Sequence, residues 1–61
     1  MITLWFKPGP NKLEMVRAIK NSAHISLRDA KDAVEIHRIK FEEVYKDDVI
    51  KAIEKTGGKL V

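Results

Sequence analysis

Apolar and polar positions change period several times along the chain, and each change marks an element. Ile2, Leu4 and Phe6 alternate onto one side of a β-branched and aromatic run, which predicts a strand. Lys7-Pro8-Gly9-Pro10 ends it, because proline supplies no amide donor and pushes the residue before it out of helical geometry. Asn11 then stands as an N-cap before Leu13, Val16, Ile19 and Ala23, which recur at helical spacing. Asn21-Ser22-Ala23-His24 closes that helix. Ser26 caps a second one, with Asp29 placed to oppose the helix dipole. Its expected buried stripe is Leu27, Ala30, Ala33 and Val34, with Arg28–Asp32 and Lys31–Glu35 as outer i,i+4 pairs.

The stretch from Ile36 to Val44 is ambiguous, and its parity favours a short strand over residues 38–43. Asp47 and Asp48 suit the first turn of a third helix, whose apolar face is Val49, Ile50 and Ile53. Gly57-Gly58 stop it, leaving Lys59-Leu60-Val61 for a brief last strand. The order is β-α-α-β-α-β. With no repeats and no linker, residues 1–61 form one domain of the α+β class. We expect a two-layer sandwich with three helices on one face of a small three-stranded sheet. Connections of these lengths favour antiparallel or mixed pairing.

Composition narrows the function classes. Sixty-one residues, 44 % hydrophobic and 34 % charged, cannot enclose a deep pocket, and an enzyme is not expected. No cysteine is present, so the core forms without disulfides or a cysteine-bound zinc. No cofactor is expected either. His24, His37 and Glu35 match no common metal-ligand spacing, and the two prolines of Lys7-Pro8-Gly9-Pro10 stand where a phosphate loop needs amide donors. No apolar run approaches the length of a membrane span and the opening residues resemble no signal peptide, so the expected compartment is the cytoplasm.

The formal net charge of +3 is unevenly spread. Residues 1–31 carry six bases against Glu14 and Asp29, whereas residues 32–61 carry six bases against seven acids. A basic half points to an acidic partner, either protein or nucleic acid. Leu13, Arg17, Lys20 and His24 recur at i, i+4, i+7 and i+11, which lines an apolar anchor with bases on one helical stripe.

Residues 11–35, NKLEMVRAIKNSAHISLRDAKDAVE, resemble the C-terminal domain of the bacterial ribosomal stalk protein, large-subunit protein seven/twelve. Asn11-Lys12 matches the family's opening, Leu13 to Arg17 its apolar run and base, and Ile19-Lys20 the next pair. Ile25-Ser26-Leu27-Arg28-Asp29-Ala30-Lys31-Asp32 follows in register. Ile2 to Lys7, Tyr45 to Asp48 and Gly57 to Val61 look like its first strand, third-helix start and a clipped last strand. The resemblance implies the same fold and a non-enzymatic module that docks translational GTPases such as elongation factors Tu and G through its first two helices. It implies partner contacts at Lys12, Leu13, Val16, Arg17, Lys20 and Lys31. Val16 doubles as a core candidate by spacing.

Three departures accompany the likeness. His24 and Ser26 replace turn glycines, and Glu14 adds an acid where the family has a small residue. The N-terminal dimerisation domain and hinge are missing before Met1, so we expect a free-standing relative, a competitor of the stalk or a reuse of its fold, as a monomer or weak dimer. Protease-adaptor domains share this general fold, but their motifs are not found. The alternative function is a small basic nucleic-acid-binding protein using the first helix and Trp5. We expect Trp5 to pack against Tyr45, Phe41 or the chain end. If the helices instead cover only the Ile2 side, Trp5 lies on the open face.

Overall fold

The computed structural model describes residues 1–61 and has the predicted order of elements. They are β1 (Ile2–Lys7), α1 (Lys12–Ala23), α2 (Leu27–Ile36), β2 (Arg38–Phe41), α3 (Lys46–Lys55) and β3 (Lys59–Leu60), with a 3-10 turn at Glu43–Tyr45. The sheet is antiparallel in the order β2-β1-β3. Ile2 faces Phe41 and Leu4 faces Ile39, while Phe6 faces Leu60. Partners across a ladder point to the same side. The inward side therefore carries Ile2, Leu4, Phe6, Ile39 and Phe41, and the helices cover it.

Helix ends follow from local chemistry. The Asn11 side chain accepts the Glu14 N–H at 3.1 Å and donates to the Glu14 carboxylate at 3.5 Å. Glu14 thus completes the cap of α1. Ser26 Oγ accepts the Asp29 N–H at 3.1 Å and caps α2. Both of these helices stop on a histidine in the left-handed region, His24 at φ 55° and His37 at φ 61°. Their amides reach back to the Lys20 and Ala33 carbonyls. The His37 carbonyl also accepts the Phe6 N–H at 3.0 Å, tying the end of α2 to the central strand.

A left-handed conformation costs a non-glycine residue about 1–2 kcal/mol. Glycine removes that strain but loses about 0.5–1 kcal/mol to added chain entropy. The His37 side chain is exposed and its bonds are backbone bonds, so His37→Gly is expected to stabilise the fold by about 0.5–1 kcal/mol. Thermal unfolding followed by circular dichroism should show a rise of about 2–8 °C. An unchanged or lowered midpoint would mean that the histidine ring is held by something worth more than the strain.

The core is built from both layers. Phe6, Ile39 and Phe41 from the sheet meet Met15, Val16, Ile19 and Ala23 of α1. Ala30, Ala33 and Val34 of α2 and Val49 and Ile53 of α3 complete it. Several expectations are corrected here. Met15 takes the buried place that the spacing gave to Leu13, which is 60 % exposed. Leu27, expected in the α2 stripe, is 44 % exposed. Ala52 is buried on α3, whereas Ile50 is only half-buried. β2 ends at Phe41, two residues before the expected limit, because the chain turns at Glu42 into the 3-10 segment.

Candidate docking surface

Helix α1 turns Met15, Val16, Ile19 and Ala23 inward, and at 100° per residue these span about a quarter of its circumference. Leu13, Arg17, Lys20 and His24 fall on a separate stripe about 60° wide, and all four are exposed. The expected stripe therefore exists as a free surface. Val16 is not part of it. At 6 % exposure this residue is core, and its place among the expected partner contacts is withdrawn on steric grounds.

Lys12 is exposed in the first turn, off the stripe but at the same end of the helix as Leu13. Lys31 is exposed on α2, one turn after Leu27. The opposite flank of α2, with Asp29, Asp32 and Ile36, borders a shallow groove against Met1 and β2. Lys31 and Leu27 thus share the flank turned away from that groove. Leu27 is the residue that sequence reasoning assigned to the core and the structure frees. Its signal was the shortage of neighbouring apolar positions: only alanines and Val34 follow it at helical spacing.

His24 and Ser26 have defined roles. His24 supplies the left-handed cap of α1, and its ring stacks on Tyr45 at 4.3 Å between centroids with 26° between planes. Ser26 caps α2. Glu14 points its carboxylate at Asn11 and lies outside the Leu13 stripe. Arg17 and Lys20 therefore stand with no acid on their own stripe. His24, His37 and Glu35 do not converge, and no three His, Asp or Glu side chains are grouped as metal ligands. No helix is long and apolar enough to cross a membrane.

Trp5 is corrected as well. Tyr45 is engaged with His24, and Phe41 points to the opposite side of the sheet, so neither packs on the indole. The chain end meets the Trp5 backbone, not the indole, through a Val61 N–H to Trp5 carbonyl bond of 3.1 Å. The side chain is 55 % exposed on the face that no helix covers. The alternative site that joined the first helix to Trp5 is therefore not one site, since the two lie on opposite sides of the sheet.

No family model, no curated protein and no solved structure matches this chain.

Proposed function

We propose that this domain is a non-enzymatic protein-docking module that binds an acidic partner surface with α1 and the outer flank of α2. The observation that carries this reading is Leu13, a leucine 60 % exposed in a stripe otherwise made of Arg17, Lys20 and His24. Full burial of a leucine is worth about 1.5–3 kcal/mol, so covering the exposed 60 % of Leu13 at an interface recovers about 1–2 kcal/mol. Leu27 offers a second apolar contact, with Lys12 and Lys31 as flanking charges. Bases around an apolar anchor speed encounter with an acidic surface, while the anchor slows release. The resemblance to the ribosomal stalk domain supplies the partner class, translational GTPases such as elongation factors Tu and G.

Arg17→Glu combined with Lys20→Glu is expected to abolish binding to purified elongation factors while leaving the thermal midpoint nearly unchanged, because both side chains are exposed. Biolayer interferometry against each factor and a thermal melt of the variant read the two halves of this expectation. If the intact domain binds neither factor, the translational role is retired. If the doubly reversed variant binds as tightly as the original, the stripe is not the interface.

A further inference from the structure

The charge excess of this protein does not sit on its helices. The three strands carry four bases, Lys7, Arg38, Lys40 and Lys59, and no acid, whereas the rest of the chain carries eight bases against nine acids. The register gathers those four on one surface. Trp5 faces Arg38 and Thr3 faces Lys40 across one ladder, and Lys7 faces Lys59 across the other. Every one of these residues has the parity opposite to the buried Phe6, Ile39 and Phe41, so all project from the uncovered face. Strands lie about 4.8 Å apart and alternate residues about 6.7 Å apart. The indole thus has Arg38 beside it, Lys7 and Lys59 beyond one end and Lys40 beyond the other.

We propose that this open sheet face binds single-stranded nucleic acid, with Trp5 stacking on an unpaired base and Lys7, Arg38, Lys40 and Lys59 neutralising the neighbouring phosphates. An exposed π-face between cations suits a polymer that offers flat bases between regularly spaced negative charges. A second copy of the chain is a poor occupant, because two such faces would set four positive charges against four. A duplex is a poor one too, because its bases are already stacked and present no free face to the indole. The proposal is independent of the helical docking surface, which lies on the other side of the sheet.

Trp5 is the single tryptophan, so its fluorescence reports directly on this face. The probe is an oligothymidylate of about 12 nucleotides, within the range of ~4–16 that single-strand binding folds occupy. At 50 mM salt it should quench the emission saturably. If all four cations meet phosphates, affinity should fall about 50-fold between 50 and 200 mM salt. Lys7→Glu with Lys40→Glu should cost more than about tenfold. With a fluorescein-labelled strand, Trp5→Ala should cost about 5- to 150-fold, and Trp5→Phe should restore most of the loss. Arg17→Glu with Lys20→Glu should change nothing here, and circular dichroism checks that each variant is folded. Several outcomes would overturn the proposal: no quenching at 50 mM salt, Trp5→Ala binding like the original, or loss of binding in the α1 variant. Polyglutamate or a duplex of equal length quenching as strongly would do the same, marking a general anion surface or a duplex reader.

Discussion

Gly9→Ala should remove a third or more of the protein's folding stability, although it adds a single methyl group to a loop between two prolines, because Gly9 is buried. A Cβ on Gly9 would run into the Thr56 carbonyl oxygen, and would lie 2.8 Å from the Gly57 carbonyl carbon and 3.0 Å from its Cα. These are backbone atoms, and none can rotate aside. The Thr56 N–H is bonded to Ala52, and its hydroxyl donates to the Ala52 and Ile53 carbonyls at 2.8 and 3.2 Å. Gly57 and Gly58 donate in turn to Glu54 and Ile53.

The other side of the contact is equally stiff. Gly9 is held between Pro8 and Pro10, whose rings fix the loop's direction. Gly57 sits at φ 85°, and its own absent Cβ leaves room for Pro10. Relief therefore requires the two loops to part, which pulls Lys59 away from Lys7 and frays β3. Overpacking of this kind costs about 1–3 kcal/mol and more where backbone must move. A chain of this length has about 3–9 kcal/mol in total. Urea unfolding followed by circular dichroism gives the comparison, and a midpoint within error of the unsubstituted protein would show that the loops do not touch as described.

The helix caps were legible because they depend on neighbours within three residues. Asn11 and Ser26 accept the amides that their spacing predicts, and Asp47 and Asp48 lie in the first turn of α3. Strand parity was legible for the same reason: Phe6, Ile39 and Phe41 fall on one side by simple alternation, whereas the sheet order β2-β1-β3 was not, since it depends on how the strands meet across the chain. The Gly9 contact was not, since Gly9 and Thr56 are brought together only when β3 returns beside β1. Glycines at 57 and 58 read as a helix stop, and nothing local says that one of them also receives Pro10.

The candidate surfaces divide along the same line. The stripe of Leu13, Arg17 and Lys20 could be drawn from spacing alone, because it lies on one helix. Whether Leu13 or Met15 faced inward could not, since both lie within reach of an apolar arc and the choice depends on where α2, α3 and the sheet meet α1. The basic sheet face escaped notice altogether. Its four cations are scattered from Lys7 to Lys59, and counting charge by chain halves assigns the excess to residues 1–31, which hold only one of the four. Only the ladder registers bring them around Trp5.

Phe41→Ala should remove about half or more of the folding stability, while Trp5→Ala, which removes a larger ring from the same sheet, should leave stability within about 0.5 kcal/mol. Phe41 is fully buried, and with Ile39 it supplies the inward anchors of the four-residue β2. Truncating a buried phenylalanine costs about 3–5 kcal/mol, the transfer term plus the cavity left behind. That loss is comparable with the whole stability of about 3–9 kcal/mol. β2 is an edge strand, so its attachment to β1 depends on those two side chains and one ladder. Losing it also carries Arg38 and Lys40 away from the open face, which is why charge reversals, and not core truncations, are the useful probes of binding there. Denaturation curves of the two variants side by side decide the matter. If Trp5→Ala were as destabilising as Phe41→Ala, the indole would be part of the core and the open sheet face would be closed to any ligand.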